Sequence, residues 1–239
     1  MVLKDGANGY AFRGLVRAYK RMGRLDEAES WVETYLTEKP FSSAALYASG
    51  YIFFLKEDIK KAEELFKKAL EQDDTNALAL NNLGAIRLSK KSYTQAVNLV
   101  HKAIQINPNE PMFFKNLETI YKQMGNPSLI ITDYNFYLKE KEDLDLIRGY
   151  GMAVGRNMRQ ASFRLYNKGY LEKTILKWVE IEKIYKEIDH QSGLVSVYFS
   201  LGILYEEKGE SQNAKNYFDL VLKLNPLHIQ AKERLYNIR

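Results

Sequence analysis

Residues 82–108 read NLGAIRLSKKSYTQAVNLVHKAIQINP, and residues 200–226 read SLGILYEEKGESQNAKNYFDLVLKLNP. Leu83-Gly84 and Leu201-Gly202 share one offset, Ala96 and Ala214 each follow the glycine by twelve residues, and both stretches close on Asn-Pro. Few of the residues between are shared. Shifting the first stretch back by thirty-four residues sets Gly84 on Gly50, Ala96 on Ala62, Val100 on Phe66 and Ala103 on Ala69. A second such shift aligns Tyr19, Gly23, Ala28, Val32 and Pro40, and a forward shift aligns Leu117, Tyr121 and Gly125. A sixth, weaker copy runs through SFRLYNKGYLEKTILKWVEIEKIY (162–185), marked by Gly169 and Trp178. A recurrence at this period is the signature of stacked supersecondary units.

Within a copy the apolar residues recur at helical spacing, as in Leu65, Phe66, Ala69 and Leu70. Interlocking helices approach to roughly 8–10 Å, and at their closest crossing only a small side chain fits. Gly50, Gly84 and Gly202 are therefore expected against Ala62, Ala96 and Ala214, with Phe66 and Phe218 filling the space where the helices diverge. Pro108 and Pro226 end one helix and can open the next. Ser92-x-x-Gln95 reads as a capping box, and Asn126-Pro127 as a cap followed by a first-turn proline. The spacing predicts helix pairs at 9–22 and 25–38, 43–56 and 59–72, 77–90 and 93–106, 111–124 and 127–140, and 195–208 and 211–224. Between the copies near 111 and 195 lie sixteen residues more than two repeats need. The pattern Ile147, Val154, Met158, Ala161, Leu165 places them in one long helix, 143–168, paired with 171–188. The closing PLHIQAKERLYNIR (226–239) reads as a lone helix covering the last apolar face.

Leu-Gly-x-x-Tyr at 201–205, Ala-x-x-x-Phe at 62–66 and 214–218, and the closing prolines resemble the tetratricopeptide repeat (TPR) family. The resemblance covers almost the whole chain. It implies an all-α, right-handed superhelical solenoid of about six helix-turn-helix pairs with a C-terminal capping helix. Along the chain this gives an N-terminal array over 1–142, an elongated degenerate pair over 143–194, and a last repeat with its cap over 195–239, forming one continuous solenoid. It also implies protein–protein recognition in the concave groove.

The chemical inventory is thin. The chain has 239 residues, no cysteine, and three widely separated histidines, His101, His190 and His228. Zinc-ligand spacings and thiolate chemistry are therefore absent. GYGMAVG (149–155) is neither a P-loop nor a dinucleotide fingerprint and reads as close helix packing, with a hinge as the alternative. Asp143 and Asp145 lack the glycine and terminal glutamate of a calcium loop, and His101 reads as a solvated surface residue. No enzyme, cofactor or metal is expected. No run approaches the roughly 18–20 apolar residues that cross a membrane, and MVLKDGANGY lacks the apolar region of a signal peptide. A cytoplasmic setting is expected, with a bacterial envelope as the alternative.

In the resembled family the first helix of each pair lines the groove. The first copy offers Tyr10, Arg13, Arg17, Lys20 and Arg21, and the second offers Tyr47, Tyr51 and Phe54. Asn81 follows in the third copy, Lys115 and Lys122 in the fourth, and Arg156 and Arg159 in the degenerate fifth. Like charges on one helix stripe cost a few tenths of a kcal/mol per pair, so the first stripe either points into water or awaits an anion. With an aromatic ladder beside it, it suits an acidic partner peptide with hydrophobic anchors. The positions of the family's carboxylate clamp hold Arg13, Arg17, Ala48, Leu78 and Asn82, a poor match. Single-stranded nucleic acid is disfavoured, because a net charge of +5 is small and acids are mixed through every repeat. The apolar residues Tyr10, Phe12, Leu15, Val16 and Tyr19 on the first helix raise a further reading: docking to a larger complex, or a homo-oligomer through this N-terminal face.

Overall fold

The computed structural model describes residues 5–140 and 143–238, with side chains from Gly9 onward. Among the described residues there are thirteen helices and no strand. The chain divides into two compact units, Met1–Leu129 and Ile130–Arg239. The expected boundary at 142/143 adjoins residues 141–142, which lie outside those described.

The first unit holds α1 (Asp5–Arg21), α2 (Leu25–Glu38), α3 (Ser43–Leu55), α4 (Ile59–Gln72), α5 (Ala77–Ser89), α6 (Tyr93–Ile106) and α7 (Pro111–Gln123). The second holds α8 (Leu129–Glu140), α9 (Leu144–Tyr166), α10 (Leu171–Glu187), α11 (Gln191–Glu207), α12 (Ser211–Leu224) and α13 (Ile229–Asn237). The long pair expected over 143–188 is α9 with α10, and α13 packs on α12 as the expected cap.

A left-handed residue follows each of α1, α3, α5 and α7. Gly23, Glu57, Lys91 and Gly125, spaced by thirty-four, have φ of 70°, 65°, 58° and 80°. The next residue donates its amide to the carbonyl five back: Arg24 to Tyr19 at 2.9 Å, Asp58 to Phe53 at 3.0 Å, Ser92 to Arg87 at 2.9 Å and Asn126 to Tyr121 at 3.0 Å. This bond ties off the carbonyls that a helix end leaves unpaired. Gly169, Asp189 and Gly209 repeat the device in the second unit. It also corrects the capping box. The Ser92 amide is already spent on Arg87, so Gln95 has no N–H to reach back to, and the Ser92 side chain makes no cap bond. Asn126 does not open α8 directly either. Its Oδ1 accepts from the Ser128 hydroxyl at 2.7 Å, and Pro127 and Ser128 form a turn before the helix.

The small residues of the opening stretch sit where the paired helices meet. A Cβ on Gly84 would lie 2.6 Å from Val100 Cγ2 and 3.3 Å from the Ala96 carbonyl oxygen. On Gly50 it would meet the Phe66 ring at 2.8 Å, and on Gly202 the Phe218 ring at 2.5 Å. The glycines thus make room chiefly for the large residue one turn beyond the alanine, which refines the expected glycine–alanine contact. GYGMAVG is packing of the same kind, with Gly151 against Ile188 and Gly155 against the Tyr185 ring.

The N-terminal helix departs from the open apolar face expected of it. Phe12 and Val16 are buried in one cluster with Ala28, Val32, Ala44, Ala45, Ala48 and Ile52. The Phe12 ring packs on Trp31 and Tyr35 of α2. The apolar surface that pointed to self-assembly is largely covered within the chain.

Two stability outcomes follow. Gly84→Ala gains up to about 1 kcal/mol of helix propensity, but it overpacks the hairpin against a backbone oxygen, which costs about 1–3 kcal/mol. The clash wins, so thermal unfolding should show a lower Tm than wild type. Lys91→Gly removes the side-chain penalty at a left-handed position, worth about 1 kcal/mol, and should raise the Tm by about 2–4 °C. A fall in Tm would contradict that reading.

Candidate functional site

In the first unit, α1 leans on α3 more than on its hairpin partner α2 and reaches α5. Side chains from its first turns tie it down. Asn107 Nδ2 donates to the Tyr10 hydroxyl. Arg13 Nη2 donates to Glu110 Oε2 at 3.0 Å, with only 14% and 13% of the two side chains exposed. Glu110 serves twice, because its Oε1 accepts the Met112 amide at 3.2 Å and caps α7. At Gly9 the helix meets α5 in ordinary van der Waals contact, an added Cβ lying 3.4 Å from Leu78 Cδ1.

This docking carries the cationic stripe over α3 and α5. A cavity of about 390 Å³ is lined by Arg13, Arg17, Lys20, Arg21, Tyr47, Tyr51, Asn82 and Met112. Arg13 is neutralised by Glu110. Arg17, Lys20 and Arg21 are exposed and have no ion-pair partner among the described residues. The Tyr47 and Tyr51 rings stack with centroids 6.0 Å apart, and Tyr47 packs on Phe66. Tyr47 is fully buried rather than part of an open ladder. Burial pushes its phenol ionisation far above the ordinary value, so it stays protonated.

The other expected groove residues lie elsewhere. Phe54 is half-buried outside the cavity lining. Asn81 is buried, accepting from Asn116 Nδ2 at 2.8 Å and donating to Asn82 Oδ1 at 3.2 Å. Lys115 and Lys122 are exposed on α7 and do not line the cavity. Arg156 and Arg159 belong to the second unit, where their charges favour the ionised form of Tyr185 against its burial. The second unit has its own apolar groove of about 240 Å³ between α9, α10 and α11, lined among others by Phe163, Trp178, Phe199 and Ile203.

Sequence reading missed Glu110. An acid immediately before Pro111 is a visible helix-start signal, but its bond to Arg13, ninety-seven residues away, is not local information. His101 is half-buried rather than solvated, with Nε2 3.0 Å from the Tyr121 hydroxyl. Asp143 caps α9, accepting from the amides of Asp145 at 2.9 Å and Leu146 at 3.0 Å. Among the described residues no cluster of acids and histidines could hold a metal ion, and no helix is long and apolar enough to cross a membrane.

Comparison with known proteins agrees with this architecture. Family descriptions of the tetratricopeptide repeat match residues 13–77, 53–115 and 195–226. The chain belongs to the tetratricopeptide repeat family. Among curated relatives it is 25% identical over 248 residues to human protein O-mannosyl-transferase TMTC3, covering 92% of this chain and 26% of that protein. It is 27% identical over 223 residues to TPR repeat-containing protein MJ1428 of Methanocaldococcus jannaschii, covering 85% and 36%. The chain therefore spans about a quarter to a third of these two relatives. Among solved structures, PilF of Pseudomonas aeruginosa gives a TM-score of 0.48 at 21% identity, covering 96% of this chain and 97% of that one. The C-terminal part of a TPR protein from Cytophaga hutchinsonii gives 0.49 at 16% identity, covering 95% and 87%.

The tie between α1 and α7 is open to a clean substitution. Glu110→Gln keeps an oxygen for the Met112 amide but loses the ion pair, which is sheltered enough to be worth about 1–2 kcal/mol. The Tm should fall, and amide exchange should quicken in α1 before the rest of the first unit. Unchanged exchange in α1 would show that the pair does not hold the helix.

Proposed function

We infer that this chain, like TPR proteins in general, serves protein–protein interaction. We propose that this chain is a non-catalytic recognition module that grips an acidic segment of a partner protein on the basic face of its first unit. Arg17, Lys20 and Arg21 are the charged contacts and Tyr51 is the apolar floor. One observation carries the reading: three cations without ion-pair partners converge over stacked tyrosines in one cavity. Their mutual repulsion is relieved by an anion, and an arginine fork holds a carboxylate through two parallel bonds. Burial of Phe12 and Val16 weighs against the N-terminal face as a docking surface.

Selection from a random peptide library tests this. Wild-type protein should enrich peptides rich in Asp and Glu that carry an aromatic or aliphatic residue. The double reversal Arg17→Glu/Arg21→Glu should lower affinity for them at least tenfold, about 1.4 kcal/mol. Lys115→Glu/Lys122→Glu, outside the cavity, should change it less than twofold. Selection without acidic enrichment, or binding indifferent to the Arg17/Arg21 reversal, would overturn the proposal.

A further inference from the structure

Tyr47 and Asn82 line the basic cavity, and each carries a buried atom without a hydrogen-bond partner: the Tyr47 hydroxyl and Asn82 Nδ2. Tyr47 is 0% exposed and Asn82 8%. Leaving a polar group buried and unpaired costs about 1–3 kcal/mol, so two such groups in one cavity point to a site completed from outside. Asn82 Nδ2 lies near enough to the Tyr47 oxygen to favour its ionised form, short of full hydrogen-bond geometry; since both groups are donors, the Tyr47 O–H and an Asn82 N–H still lack an acceptor.

Neighbouring bonds decide what these groups offer. Asn116 donates to Asn81, and Asn81 Nδ2 donates to Asn82 Oδ1. The asparagine relay thus ends on a donor, the Asn82 amide NH₂. Tyr47, kept protonated by burial, is also a donor. The nearby acid, Glu110, is occupied by Arg13 and the Met112 amide. What remains unpaired is two neutral donors and the three cations of α1.

The residues that carry these donors line the cavity from three helices: α1 (Arg17, Lys20, Arg21), α3 (Tyr47) and α5 (Asn82). A carboxylate has two oxygens in one plane and a single charge. A phosphate monoester has three terminal oxygens in a tetrahedral spread and about −1.5 to −2 charge near neutral pH. The second shape and charge match donors arriving from three sides. A volume of about 390 Å³ accommodates the phosphoryl group and the side chain bearing it.

Building on the acidic-segment reading above, we propose that the cavity binds the phosphoryl group of a phosphorylated side chain in the partner. The guanidinium groups of Arg17 and Arg21 take its outer oxygens. The Tyr47 hydroxyl and Asn82 Nδ2 take the innermost one.

The test uses the intact, isotope-labelled chain with inorganic phosphate as probe and acetate as control at equal ionic strength. At pH 7.5 phosphate should shift the Asn82 side-chain amide resonance saturably, and acetate should not. Tyr47→Phe removes only the hydroxyl. It should weaken phosphate binding at least threefold with the Tm unchanged or higher, whereas a purely structural hydroxyl would lower the Tm and leave binding intact. In a second arm, acidic library peptides with a central phosphoserine are compared with their serine twins. The phosphorylated set should bind at least tenfold tighter, and Tyr47→Phe should reduce that advantage. Equal shifts with acetate, or no saturable shift with phosphate, overturns the proposal. Equal binding of the twins, both lost in Arg17→Glu/Arg21→Glu, overturns it while the acidic-segment reading stands. Binding of both twins that ignores that reversal removes both.

Discussion

Gly84 lacks a side chain because Val100 occupies the space. That close approach locks α5 to α6, and the same contact at Gly50 with Phe66 locks α3 to α4. Once two helices interlock at one crossing, the rotation of each about its axis is set, and so is the face it turns outward. On α3 that face carries Tyr47 and Tyr51, and on α5 it carries Asn82. On α3 the site grows out of that same packing, because Tyr47 rests on Phe66, the ring for which Gly50 makes room. The charged hairpin surfaces contribute less. Lys68 and Glu64, for example, pair at 2.8 Å in open solvent, where such bridges add little.

The first helix is put to a different use from the others. A regular repeat spends its first helix on its own hairpin, but α1 is tied across the unit by Tyr10 to Asn107 and Arg13 to Glu110. This gives the cavity a basic roof. One cation of the stripe is consumed as a structural tie, and three stay available for an anion. The relay sets the polarity of the floor in the same way: Asn116 and Asn81, outside the cavity lining, orient Asn82, which lines it.

Much of the fold was legible because it rests on short-range rules. Helical spacing, the thirty-four-residue recurrence and the glycines at 23, 125, 169 and 209 each announce themselves within one hairpin. Glu57 and Lys91 escaped notice as turn residues, because they hold the same left-handed conformation without the glycine that signals it. The cationic stripe and both tyrosines were visible as neighbours on helices. Whether each would be open or covered was not. Tyr47 and Asn81 carry the same local pattern as exposed groove residues, and they are buried through contacts with other helices, Tyr47 on Phe66 of α4 and Asn81 bonded to Asn116 of α7. Contacts ninety-seven residues apart, such as Arg13 with Glu110, leave no periodic trace.

The placement of α1 is the claim from which the cavity, its charge and its proposed ligand all follow. Gly9 of α1 lies beside α5, where an added Cβ would sit 3.4 Å from Leu78 Cδ1. In a methyl-labelled sample, a nuclear Overhauser contact should join the Leu78 δ-methyl protons to the Gly9 α-protons. Loss of that contact, while Val100 methyl contacts to Gly84 persist, would place α1 off the groove and contradict the site.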